Sequence, residues 1–111
     1  MILKKDYVYK ATRTKNEPFF LGGFRRNYII FSPFEDTWID ESRANWSSNV
    51  NCHFVVCFDG SIRIPGVTSV YESCVLEPLN SKDLEDVREA IDRIGCKYNR
   101  KLNKLIFYEK D

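Results

Sequence analysis

The chain has one histidine, one methionine and only five glycines in 111 residues, and each scarcity excludes something. A lone histidine, His53, removes the histidine-rich metal centres. Of the four cysteines, at 52, 57, 74 and 96, Cys52 and Cys57 have four residues between them, within the C-x2-4-C spacing of structural zinc. That stretch reads as strand and not as a knuckle turn, which points the two thiols to opposite faces. There is no Gly-flanked serine of the nucleophile-elbow type and no glycine-rich phosphate loop; Gly22-Gly23 is the sole adjacent pair. No apolar run approaches the length of a membrane-spanning helix. Met1-Ile2-Leu3 passes directly into Lys4-Lys5-Asp6, leaving no apolar core for a secretory leader. The expected location is therefore cytoplasmic, the expected thiols are reduced, and the sequon Asn45-Trp46-Ser47 is without consequence there.

What is present is aromatic and charged. Eight Phe, six Tyr and two Trp favour β structure. With 43% hydrophobic and 30% charged residues, a chain of this length builds one domain, 1–111, around a core that needs no staples. The net charge of +1 conceals a division. Residues 1–26 carry seven basic and two acidic residues, 27–92 carry four and twelve, and 93–111 carry six and two. Both ends are basic and the middle is acidic. Terminal strands lying side by side would concentrate positive charge on one surface.

The organising stretch is Val50 to Ile64. Two apolar runs flank Asp59-Gly60, which suits a two-residue type I′ hairpin turn. Strict alternation would put Cys52, Phe54, Val56 and Phe58 on one face and His53, Val55 and Cys57 on the other. Upstream, Asp6 to Thr14 alternates as a strand, with Tyr7, Tyr9 and Ala11 opposite Val8, Lys10 and Thr12. Lys15 to Pro18 is a polar connection, and Gly22-Gly23 closes a tight turn or bulge. Asn27 to Ser32 is a further strand that Pro33 ends. Thr37-Trp38-Ile39 is a short strand, and Asp40 to Asn49 reads as a surface loop. Val67 to Leu76 is expected as one strand.

The only convincing helix follows, over about 81–94. Leu84, Val87, Ile91 and Ile94 form one apolar stripe, Asn80 or Ser81 caps it, and Gly95 ends it. Cys96–Asn99 and Lys104–Glu109 then predict a final hairpin. The fold class is α+β: a small, strongly bent antiparallel sheet or SH3-like barrel with one helix in the C-terminal half.

Within Leu79 to Phe107, the amphipathic helix, Gly95, Tyr98, Asn99 and Lys104-Leu105 follow a recurring order. In this the segment resembles the tail of small uncharacterised proteins encoded by bacteriophages and other mobile elements. The resemblance implies an origin of that kind. It covers roughly a quarter of the chain, and its residues are structural, so it carries over no functional residue.

For chemistry, the strand reading separates the thiols from the imidazole. Cys57, four residues from His53, lies about 13 Å away on a regular strand. No catalytic residue, metal or cofactor is expected. The twelve acids of the middle section, with Trp38 and Trp46 on or beside a loop, suit a non-enzymatic protein that binds and modulates or inhibits a host protein. Glu35, Asp36, Trp38, Asp40, Glu41 and Trp46 are the expected contact residues. The alternative is a binder of single-stranded nucleic acid. It would use Lys10, Arg13, Arg25 and Arg26 among the N-terminal aromatics, since small barrels stack bases beside cationic grooves. A third possibility, an enzyme, would require a pocket that joins Cys57 or His53 to an acid.

Overall fold

The computed structural model describes residues 1–13 and 26–107. The expected connection at 15–18, the Gly22-Gly23 turn, Arg25 and the last residues of the final hairpin lie outside the described residues. In chain order the strands are β1 (Ile2–Leu3), β2 (Tyr9–Arg13), β3 (Tyr28–Pro33), β4 (Thr37–Trp38), β5 (Ser47–Val56), β6 (Ile62–Arg63), β7 (Gly66–Tyr71) and β8 (Cys74–Glu77). Helix α1 (Ser81–Ile94) and the hairpin strands β9 (Lys97–Asn99) and β10 (Lys104–Ile106) complete it.

One six-stranded antiparallel sheet dominates. Its strands run β6-β5-β3-β2-β8, with β7 on the other half of β5. Among the described residues the sheet stays open, so the expected α+β class holds and the barrel does not. A ribbon of β1 and β4 covers one face. There Leu3 and Ile39 pack with Ala11, Phe31, Val50, Cys52, Val55 and Val70. Helix α1 and the β9–β10 hairpin cover the other face. There Val87, Ala90, Cys96 and Leu105 pack with Val8, Ile30, Phe54 and Val56. Burial on both faces explains why β3 and β5 read as apolar on both sides.

The helix follows its sequence signals. The Asn80 side chain accepts from the Asp83 N–H, and the Asp83 carboxylate accepts from the Asn80 N–H, a reciprocal capping box. Gly95, at φ 79°, closes the C-terminus in the left-handed region.

Three local expectations change. The β5–β6 turn is not type I′: Cys57 and Ser61 close a three-residue loop, and of Asp59 and Gly60 only Gly60 has positive φ (86°). Asp59 instead accepts from the Ser61 N–H and hydroxyl. The strand expected over 67–76 breaks at Glu72-Ser73, because its halves have different partners, β5 for β7 and β2 for β8.

The alternation along β5 also fails. Ser32 faces Phe54 and Pro33 faces Cys52, so His53 is an extra, bulged residue. Pro33 has no N–H to offer the ladder, and a bulge is how a sheet accommodates that loss. The bulge inverts parity: Val50 and Cys52 join one core, Phe54 and Val56 the other.

Candidate functional site

The bulge places His53 in a surface cleft. His53 sits in a cleft of about 510 Å³ whose other walls are Phe34, Ile64, Pro65, Ile94 and Phe107. These come from the β3–β4 connection, the β6–β7 connection, the last residue of α1 and the end of β10. The imidazole lies between two aromatic rings, 4.2 Å from Phe34 and 4.8 Å from Phe107 by centroid. Its Nε2 is 2.7 Å from Asp6 Oδ1.

Asp6 is held in a left-handed conformation, φ 69°, which aspartate tolerates better than most residues. Its N–H donates to the Pro33 carbonyl and its own carbonyl accepts from the Leu105 N–H. Both ends of its peptide are therefore fixed, and the carboxylate is aimed at His53. An ionised carboxylate only accepts, so it selects the Nε2–H tautomer of a neutral imidazole and leaves Nδ1 with a lone pair. Nδ1 makes no hydrogen bond among the described residues. The His53 side chain lines the cleft and is about one-tenth exposed.

A second hollow, about 360 Å³, shares Phe34 and Pro65 with this cleft and extends past Arg63 to Val67. Cys52 lines it, but belongs to the opposite core from Phe54, and burial pushes its thiol up to about 12. That thiol is protonated and inert at neutral pH. Among the described residues, no three of His, Cys, Asp or Glu gather where a metal ion would sit.

The expected contact residues divide into two groups. Glu35 and Asp36 follow Phe34 on the exposed β3–β4 connection, and Trp38, on β4, is 76% exposed. Asp36 accepts from the Lys5 N–H, which places it beside Asp6 and the cleft. Asp40 and Glu41 come next in the chain. Asp40 is turned inward on its own loop, accepting from the Ser42 N–H and hydroxyl, bonds that lower its pKa. Glu41 lies 3.8 Å from the N-terminal ammonium. Trp46 differs: it is half-buried against the core, and with Asp40 and Arg43 it lines a separate polar hollow of about 390 Å³.

The basic residues of the alternative reading are mostly occupied inside the molecule. Lys10 is buried, 2.9 Å from Asp83, although the alternation had placed it on a solvated face. Arg26 is 2.5 Å from Asp86, and that bond raises its pKa. The Tyr28 ring lies beneath both cations. Arg13 lies over the rings of Phe58 and Tyr71. The acidic helix N-terminus thus neutralises part of the basic N-terminal segment. The terminal segments do run side by side: Tyr7 bridges Lys104, and its ring sits near both Lys4 and Lys104 ammonium groups.

The pocket that an enzyme would require, one joining His53 to an acid, is present as the His53–Asp6 pair, but no serine, threonine or cysteine lines it among the described residues. Sequence reasoning named that condition without locating the cleft. Its signals were faint: a sole histidine, a phenylalanine just after Pro33, and Ile64-Pro65 at a turn. What joins them is the bulge, which no local pattern announces. Comparison of the chain with protein-family profiles, curated proteins and solved structures finds no match.

Proposed function

We propose that the chain is a non-enzymatic binding protein that engages a protein partner, and modulates or inhibits it, through the surface running from the His53 cleft to Trp38. One observation carries this. Phe34, on the β3–β4 connection, is 49% exposed and Trp38, on β4, is 76% exposed, with Glu35, Asp36 and Thr37 between them in the chain. Large exposed aromatics in a polar frame are the composition of an interface hot spot. The acids favour a partner with a basic contact surface, because complementary charge steers encounter and excludes wrong partners. The resemblance of Leu79–Phe107 to proteins of mobile elements supports a host protein as that partner.

The test is capture from nuclease-treated host lysate on immobilised protein. Capture that survives nuclease and is lost in Trp38→Ala and in Glu35→Gln/Asp36→Asn supports the reading. Capture of material that disappears with nuclease contradicts it.

A single-stranded nucleic-acid binder is the second reading, supported by Tyr7 between Lys4 and Lys104. It weighs less because Lys10 and Arg26 are engaged by Asp83 and Asp86. A gel shift with an oligothymidylate across a range of salt concentrations decides it, since phosphate contacts weaken steeply with salt.

A further inference from the structure

We infer that the His53 cleft receives a tyrosine side chain of the partner, presented between basic residues, with the phenol donating its hydrogen bond to His53 Nδ1. The inference rests on the binding reading above and specifies what enters the cleft.

Three features of the cleft define this occupant. Its walls are apolar and aromatic, Phe34 and Phe107 on either side of the imidazole with Ile64, Pro65 and Ile94 around them, so the occupant is a flat apolar group. At about 510 Å³ the space lies in the range of small-ligand pockets and admits an aromatic ring together with part of the chain that presents it. Its one polar feature is His53, where Asp6 takes the Nε2 proton and leaves Nδ1 an acceptor without a partner among the described residues. An acceptor of that kind selects a donor. Because His53 lies between the two aromatic walls, a donor at the far tip of a ring reaches it end-on. A phenol carries its O–H at that tip; an indole carries its N–H on its flank, and a phenylalanine carries no donor.

Charge defines what surrounds the ring. Glu35 and Asp36 follow the Phe34 wall, and Asp36 is tied to Lys5 beside Asp6. Arg63 lines the neighbouring hollow together with Phe34 and Pro65. The partner's basic residues therefore belong beside Glu35 and Asp36, away from Arg63. A phosphorylated tyrosine is excluded twice, by the apolar walls and by the acids. The left-handed Asp6 and the bulge at His53 set these two side chains 2.7 Å apart.

The experiment uses the full chain and four capped pentapeptides with two lysines on each side of Tyr, Phe, Trp or phosphotyrosine. Affinity is read by calorimetry. Binding at the imidazole is read from long-range ¹H–¹⁵N spectra, in which the single histidine gives an unambiguous signal. The tyrosine peptide is expected to bind about tenfold more tightly than the phenylalanine peptide, the worth of one hydrogen bond, and to move the Nδ1 resonance. The phosphotyrosine peptide is expected not to bind. In Asp6→Asn the amide can donate to Nε2 and release the tautomer, and in His53→Phe the acceptor is gone; in both, Tyr and Phe peptides should bind alike.

Tyr and Phe peptides binding the native chain within twofold of each other would overturn the inference. So would a tryptophan peptide that matches tyrosine with equal dependence on His53. If no peptide binds while the protein partner is still captured through Trp38, the cleft assignment falls and the binding reading stands.

Discussion

Lys10 on β2 and Asp83 in the first turn of α1 are 73 residues apart in sequence and 2.9 Å apart in space, both buried. The same Asp83 carboxylate oxygen accepts from the Asn80 N–H, so one group caps the helix and fastens it to the sheet. Removing one member leaves the other charge buried and uncompensated. Lys10→Met should cost about 3 kcal/mol, and Asp83→Ala more, since it also loses the cap. Urea unfolding of both variants and the double variant checks this. The double variant should cost clearly less than the sum of the singles.

Cys52 provides a pH prediction. Burial raises its thiol from 9.0 to about 12. The folded state therefore keeps a proton that the unfolded chain releases. The resulting stability is intact below pH 9 and is lost as pH rises toward 12. Cys96 is raised by burial in the same sense, as are Tyr9, Tyr28 and Tyr98 from their ordinary value of 10.0. Urea midpoints of the native chain should fall as pH rises above about 9, and less steeply in Cys52→Val. Thiol labelling at pH 8 should modify the half-buried Cys57 and Cys74 before Cys52 and Cys96.

Two glycines should respond to alanine for different reasons. At Gly66 an added Cβ would lie 2.8 Å from Val55 Cγ2 and 3.3 Å from the Arg63 carbonyl, so the sheet must shift. At Gly95 nothing lies within 4 Å, and only φ, at 79°, resists. Gly66→Ala should cost about 2 kcal/mol and Gly95→Ala about 1 kcal/mol. Thermal melts that reverse this order would contradict the packing of β6 and β7 against β5.

Asp6→Ala should cost about 1–2 kcal/mol, because alanine resists the left-handed conformation and His53 loses its acceptor. The same variant should change the tautomer balance of the single imidazole, readable in its ¹⁵N shifts.

The parts legible in the sequence are those fixed by local chemistry. Leu84, Val87, Ile91 and Ile94 with Gly95 and a cap at Asn80 or Ser81 place α1 over about 81–94, because period and caps are local properties, and the structure selects Asn80 as the cap. The strands announced themselves by apolar content. What failed depends on partners far along the chain. Lys10 alternates with Tyr9 and Ala11 as an exposed residue would, but α1 packs over that face and supplies Asp83. The face to which Cys52 belongs is decided by Pro33 across the ladder. The His53 cleft needs Asp6, Phe34, Ile64, Ile94 and Phe107, five separate segments whose meeting is a product of topology. Trp38 and Trp46 looked equivalent as sequence; only tertiary packing sets one against the core and leaves the other outside.

The most direct measurement of the binding surface is site-specific photocrosslinking in host lysate. A photoreactive phenylalanine is placed at Trp38 and, as a control, at the exposed Glu85 of α1. A discrete protein adduct at position 38, absent at 85 and unaffected by nuclease, is the expected result. Equal adducts at both positions, or a nucleic-acid adduct at 38, would contradict the assignment of this surface to a protein partner.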